Sequence, residues 1–205
     1  LSHYALDTWD LEYEFPFGWK ELQGLSNRTD FDLKQHMEHS KTDLSMFDEE
    51  AKKKIIPHVI CEPSQGVERA FLVFMFDAYH YDKTRENVVL KLHPKLTPIK
   101  IGVFPLVSNK AEIVKKARGV YDELKQRWAC TFDLSGSIGR RYARADETGI
   151  YATVTIDFET LDDDSVTIRS RDTTEQIRVK ISELKDVLSK FMEGEKLGKM
   201  GKKVE

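Results

Sequence analysis

Cysteine is nearly absent from this chain. Among 205 residues only Cys61 and Cys130 carry thiols, and neither stands in a Cys-x-x-Cys or Cys/His cluster. A disulfide scaffold and a structural zinc site are therefore set aside, and two free, buried thiols are expected. Long apolar runs are missing as well. The densest, residues 71–76, is far too short to cross a bilayer, and nothing resembles a signal peptide, so no membrane partner and a reducing, cytoplasmic interior are expected. An excess of one charge is also lacking: 32 Lys and Arg stand against 35 Asp and Glu, for a formal charge of -3. Contact with RNA would have to come from local patches and not from a global positive field.

What remains is an ordinary globular balance, 33% charged and 40% hydrophobic, in a chain long enough for one large domain or two small ones. Its most informative stretch is Glu62-Pro63-Ser64-Gln65-Gly66-Val67-Glu68-Arg69. The β-branched run at residues 55–60 reads as a strand before it, and residues 70–76 read as a helix so densely apolar that burial is expected. Chemistry is thus placed at a strand-to-helix corner. Gly66 lets a ligand approach the backbone, and Arg69 on the first helical turn can meet phosphate oxygens with its planar fork. Glu62 suits an ammonium group. A nucleotide beside an amino acid would satisfy both, while the plain structural alternative is a Glu–Arg pair closing a helix start.

Two further segments narrow the choice. The first is Phe15-Pro16-Phe17-Gly18-Trp19-Lys20-Glu21-Leu22-Gln23-Gly24 with Asn27-Arg28-Thr29-Asp30-Phe31-Asp32-Leu33 and His36; the second is Ser135-Gly136-Ser137-Ile138-Gly139-Arg140-Arg141-Tyr142-Ala143-Arg144-Ala145-Asp146. In order and approximate spacing, the three blocks resemble the later half of the glycyl-tRNA synthetases, a class II family, over residues 3–188. The resemblance implies a third signature motif at Gly66, Val67, Glu68 and Arg69, with Arg69 on the terminal phosphates of ATP. It implies a glycine pocket from Glu62, Pro63, Ser64, Gln65 and Gly66, with Glu62 facing the ammonium group. Glu21 and Leu22 match the strand that carries an acid beside ATP and Mg2+. Where the family strand often has a second acid this chain has Gln23, and Cys61 is an extra residue before Glu62.

The family's first motif, which forms the homodimer interface, and its second, whose arginine holds the α-phosphate, do not occur in these residues. The resemblance therefore implies an N-terminal half bearing motifs 1 and 2 as partner, and an isolated segment without activity of its own. In the complete enzyme, glycine and ATP would give glycyl-adenylate, and the glycyl group would pass to tRNA(Gly). The rival is a non-catalytic, synthetase-like nucleic-acid-binding module or accessory subunit.

The expected fold class is α/β and α+β. Residues 1–97 would be the last part of a class II antiparallel catalytic sheet, residues 98–192 a mixed five-stranded anticodon-binding domain, and residues 193–205 a flexible basic tail. In the first part, residues 9–13 and 19–23 alternate with period two, as antiparallel strands do, and Glu21 is expected to point opposite Leu22. As a strand residue alone, Glu21 reads equally as a solvated acid. His36 and His39 lack a third metal ligand. Residues 79–87 read as a polar loop.

In the second part, strands are expected at residues 99–106, 129–132, 151–158, 166–171 and 176–181. Helices are expected at residues 111–128, with Ile113, Val114, Ala117, Val120, Tyr121 and Leu124 on one face, at residues 138–147, and from a Ser182 cap to Met192. Residues 162–164 read as an acidic turn. Arg140, Arg141 and Arg144 with Tyr142 are the expected tRNA-binding group, the arginines meeting phosphates and the ring stacking on an unpaired base. Asp133, Asp146 and Glu147 offer the alternative of surface ion pairs.

Overall fold

The computed structural model describes residues 2–204. Packing divides the chain into two units, Leu1–Phe76 and Asp77–Glu205.

In the first unit, β1 (Asp7–Phe15) and β2 (Gly18–Asn27) form an antiparallel hairpin turning at Pro16 and Phe17, where Gly18 takes a positive φ of 102°. Helix α1 (Phe31–Ser40) follows, then a small ribbon of β3 (Met46–Asp48) and β4 (Lys53–Ile55). Strand β5 (Glu62–Gln65) pairs antiparallel with β2, so the sheet order is β1-β2-β5. Helix α2 (Val67–Ala78) starts immediately afterwards. The corner expected at Gly66 is present, but its strand is not the expected one. Residues 55–60 leave the ribbon at Ile55, and Pro57, which has no N–H to donate, interrupts the run; only Val59 forms a bridge, to Thr29. The polar Glu62–Gln65 segment takes the sheet edge instead.

The expectation that residues 70–76 are buried is also corrected. Phe71 is 64% exposed and Phe74 47%. A helix apolar on all sides needs neighbours on all sides. Within this unit the hairpin supplies one: the Phe76 and Phe15 rings lie nearly perpendicular, with centroids 6.3 Å apart.

The second unit opens with a hairpin, β6 (Tyr79–Asp82) and β7 (Asn87–Leu90), where the sequence reads as a loop. The Asp82 carboxylate accepts from the N–H groups of Thr84 and Arg85, closing a turn that period counting does not register. A six-stranded mixed sheet follows. Its strands are β8 (Ile101–Pro105), β9 (Cys130–Phe132), β10 (Ala152–Ile156), β11 (Ser165–Ser170), β12 (Gln176–Lys180) and β13 (Lys202–Lys203). They lie in the order β13-β12-β11-β10-β8-β9, parallel among β10, β8 and β9 and antiparallel elsewhere. Its helices are α3 (Ala111–Leu124), α4 (Ile138–Glu147), the short α5 (Glu159–Asp163) and α6 (Leu184–Met192).

The core lies where periodicity puts it. Ile113, Ala117, Val120 and Leu124 of α3 are buried against Ile101, Val103, Val154 and Ile156 of the parallel strands. Several details differ from expectation. The acidic turn is α5, ended by Asp164 at a φ of 54°. Ser182 caps nothing: a 3-10 turn over Ile181–Glu183 leads into α6 without a side-chain cap. The sheet has six strands, not five, because part of the expected tail supplies the last. Leu197 is buried, the Gly198 N–H donates to Glu175, and Lys203 pairs with Glu175 at 2.8 Å. The packing division at Phe76 precedes the boundary expected near Thr97, a buried residue, because the β6–β7 hairpin packs on α4 through Asn87 and Arg85.

Candidate functional site

The register of the first unit decides which side chains can meet. Leu11 opposes Gln23, but Glu12 opposes Glu21, so Leu22 is an extra residue on β2. Such a bulge restores the face of every residue before it by one step. Glu21 therefore shares a face with Glu12, Asp10 and Gly24, and through the Gly24–Ser64 and Ser26–Glu62 pairs with Ser64 and Glu62 as well. A strictly alternating β2 would have put Glu21 on the opposite side from Glu62. Gly24 matters here for its missing side chain: a Cβ on it would lie 3.5 Å from Asp10 Oδ1 and 3.8 Å from Glu21 Oε1. One sheet face thus carries the carboxylates of Asp10, Glu12, Glu21 and Glu62.

Arg69, on the first turn of α2, reaches back to this strand. Its Nη1 donates to the main-chain oxygen of Glu21 at 2.6 Å and lies 3.8 Å from Glu21 Oε1, both side chains being half exposed. Glu62 is held differently, accepting at Oε2 from Arg28 Nη1 at 3.0 Å. Ser64, Gln65, Gly66, Val67 and Glu68 are exposed along the corner, with Pro63 opposite Leu25 in the ladder. The residues expected for ATP and for glycine are thus brought to one edge of the sheet. No group of three or more metal-ligating side chains converges among the described residues. Glu21 with Asp10 nearby nevertheless has the oxygen chemistry magnesium uses when it borrows further ligands from a polyphosphate. His36 and His39 sit on an α1 face without such company.

The expected RNA-binding group is split by the structure. Ser137 caps α4 by accepting from the Arg140 N–H, and Gly136, at a φ of 74°, brings the chain into that turn. Arg140 is exposed and its guanidinium donates no hydrogen bond among the described residues. Arg141, its neighbour, is 1% exposed and donates to the main-chain oxygens of Pro105, Leu106 and Asp133. Burial lowers its pKa, with Asp133 opposing. Tyr142 is largely interior, its hydroxyl 2.6 Å from Thr155 Oγ1 and the Arg169 guanidinium 4.8 Å from its ring centroid. Burial raises its pKa. Arg144 is bound to Asp133, whose carboxyl stays below its ordinary value because bonds from Arg144 and the Ser135 N–H outweigh partial burial. Arg141 as a phosphate ligand and Tyr142 as a stacking platform are therefore corrected: adjacent helix residues point about 100° apart, and here that rotation carries Arg141 onto the main-chain oxygens of Pro105, Leu106 and Asp133. Arg140 remains on the surface.

An open cavity of about 470 Å³ lies at the start of α4, bounded by Leu106, Ser108 and Asn109 after β8 and by Gly136, Ser137 and Arg141. Arg141 Nε is buried and has no hydrogen-bond partner among the described residues. A larger groove of about 790 Å³, along α3 near Lys116 and Asp164, contains none of the expected site residues.

Sequence reading missed the charge cluster beneath α4. Asp146 accepts two bonds from Arg169 and one from Arg85, and Arg85 also donates to the main-chain oxygens of Arg171 and Asp172. It missed Arg28 as the partner of Glu62, although Arg28 belongs to the segment from Asn27 to Leu33 that carries the family resemblance. Both thiols were expected to be buried; Cys61 is exposed and Cys130 half-buried.

Residues 100–191 match the family model of the anticodon binding domain. The chain is 49% identical over 187 residues to the glycine–tRNA ligase of Acetivibrio thermocellus, covering 90% of this chain and 40% of that protein. It is 49% identical over 195 residues to that of Caldanaerobacter subterraneus subsp. tengcongensis, covering 94% and 41%. For that of Corynebacterium efficiens the figures are 48% over 204 residues, 95% and 44%. The chain spans about two fifths of the length of these relatives. With an anticodon-binding domain over residues 100–191 and 48–49% identity over 90–95% of the chain, the chain belongs to the glycyl-tRNA synthetases, as a portion of that family's sequence.

Proposed function

We propose that this chain supplies part of the glycine and ATP site, and the anticodon-binding domain, of an enzyme that activates glycine with ATP and transfers it to tRNA(Gly). The observation that carries this reading is the bulge at Leu22, which sets Glu21 on the face of Glu62 and Ser64, with Arg69 docked on the Glu21 main chain. Glu62 attracts and orients the glycine ammonium, leaving the glycine carboxylate free to attack the α-phosphorus as the α–β phosphoanhydride bond breaks and pyrophosphate leaves. Arg69 meets the terminal phosphates of ATP with the N–H groups not spent on Glu21. Glu21 would hold Mg2+, which would supply neutralisation of the polyphosphate charge. The close backbone at Gly66 admits the nucleotide. Positioning and charge neutralisation are the whole contribution of these residues, and no covalent enzyme intermediate is required.

The remaining partners follow from the same reading: a further portion of the synthetase bearing motifs 1 and 2, a homodimer built through it, and tRNA(Gly) in the cytoplasm. No helix of the described residues is long and apolar enough to cross a membrane. The exposed α2 face is where the rest of the catalytic layer would pack. Arg140 and the cavity at the start of α4 are the tRNA contact we favour on the anticodon-binding domain.

Glycine-dependent ATP–pyrophosphate exchange tests the reading. The complete synthetase should exchange and these 205 residues alone should not. In the complete enzyme Glu62→Gln should weaken glycine use by about 1.5–3 kcal/mol with little change for ATP. An unchanged glycine KM would remove Glu62 from the pocket.

A further inference from the structure

Arg28 directly follows β2 and is stitched to the chain just before β5: its N–H donates to the Val59 oxygen at 2.8 Å, and the Val59 N–H donates to the Thr29 oxygen at 2.7 Å. Thr29 lies in the left-handed region, at a φ of 53°, where a β-branched residue is rare. The side chain is clamped as firmly as the backbone. Nε and Nη2 donate to the two Asp32 oxygens at 2.5 and 2.6 Å, a fork-to-fork pair, and the guanidinium lies 4.1 Å from the Tyr4 ring centroid. These bonds fix the guanidinium plane, and Nη1 then meets Glu62 Oε2 at 3.0 Å.

Two consequences follow for Glu62. Its Oε1 accepts no hydrogen bond among the described residues, and its side chain is 42% exposed, so one oxygen is tied and the other is free. The local charge also remains suited to a cation. Arg28 contributes one positive charge against the two carboxylates of Asp32 and Glu62, which leaves one net negative charge at the site.

We propose that Arg28 is the positioning residue of the amino-acid pocket: clamped by Asp32 and Tyr4, it holds Glu62 by Oε2 so that Oε1 is presented to the substrate ammonium. This rests on the reading of Glu62 as the ammonium partner. Asp32 has two tasks in it, orienting the fork and cancelling the arginine charge that would otherwise repel the ammonium.

The test uses the complete synthetase, with exchange kinetics for glycine and ATP and a melting curve for each variant. Arg28→Gln should raise the glycine KM about tenfold or more while kcat and the ATP KM stay within about twofold. Asp32→Asn, which keeps both Arg28 and Glu62, should raise the glycine KM in the same selective way and serves where Arg28→Gln fails to fold. The double variant Arg28→Gln/Glu62→Gln should be no worse for glycine than Glu62→Gln alone, because the arginine acts only through that carboxylate. If Glu62→Gln raises the glycine KM and Arg28→Gln and Asp32→Asn do not, the positioning role is overturned and Glu62 keeps its own. Additive losses in the double variant, or equal losses for glycine and ATP, would reduce Arg28 to a strut of the fold. An unchanged glycine KM in Glu62→Gln would overturn both.

Discussion

Arg69 is anchored to Glu21 through the main chain and not through the carboxylate: Nη1 donates to the Glu21 oxygen at 2.6 Å, while Glu21 Oε1 stands 3.8 Å away. The main-chain bond anchors the arginine, while the longer ion-pair contact leaves the remaining guanidinium N–H groups and Glu21 Oε2 without hydrogen bonds among the described residues.

The same geometry sets the expected result for Arg69→Lys in a complete synthetase. Lysine can keep one bond to the Glu21 oxygen but cannot also offer the planar fork, so transition-state stabilisation should fall by about 2–4 kcal/mol. The loss is read in kcat/KM for ATP. Normal kinetics with an unchanged melting curve would leave Arg69 as a helix-start anchor.

Period and composition disclosed the second unit well and the first less well, for a physical reason. The α3 face through Ile113, Ala117, Val120 and Leu124 was legible because burial there repeats at the helical period. The bulge at Leu22 was not, since one extra residue in a strand leaves no compositional mark, and yet it decides the face of Glu21. The pair Arg140 and Arg141 shows the same limit: their presence on α4 was legible, their rotation was not, because it depends on the carbonyls of Pro105 and Leu106 on a distant strand end. Apolar density at Phe71 and Phe74 signalled that the helix needs cover without telling what supplies it.

The two thiols should differ sharply in reactivity. Burial pushes the Cys130 thiol up to about 11, whereas Cys61 is exposed. At pH 8, Cys61 should alkylate at least about tenfold faster, because the thiolate is the nucleophile and access limits the other site. A time course of intact mass with iodoacetamide, repeated in guanidinium chloride, checks this: one rapid adduct when folded, two when unfolded.

Acid should expose the role of Asp163. Its carboxyl is held at about 2, below the ordinary 3.8, chiefly by the hydroxyl and N–H of Ser165. A carboxyl depressed by folding contributes stability that is fully present above its unfolded value and is lost as pH falls through its folded one. The melting temperatures of the parent and of Asp163→Asn should therefore differ above about pH 4 and converge toward pH 2. A constant difference over that range would place the effect of the substitution elsewhere.

Arg140 and Arg141 give the sharpest contrast, because adjacent residues of one helix are assigned opposite fates. Arg140 is exposed, so Arg140→Ala should leave the melting curve unchanged and weaken tRNA binding, lowering the log-log salt slope by about 0.7 if one single-stranded phosphate contact is lost. Arg141→Ala should act the other way. It removes the donor to three main-chain oxygens at a site only 1% exposed, so the second unit should lose about 3 kcal/mol or more of stability. Tyr142→Phe, which deletes only the hydroxyl that meets Thr155, should cost about 1 kcal/mol and leave the salt slope unchanged. Binding is measured over a salt series beside a thermal melt for each variant. If Arg141→Ala melts like the parent yet binds tRNA poorly, the inward arginine turns out to the ligand; if Arg140→Ala binds normally at every salt concentration, this face of α4 is solvated and the anticodon is read elsewhere.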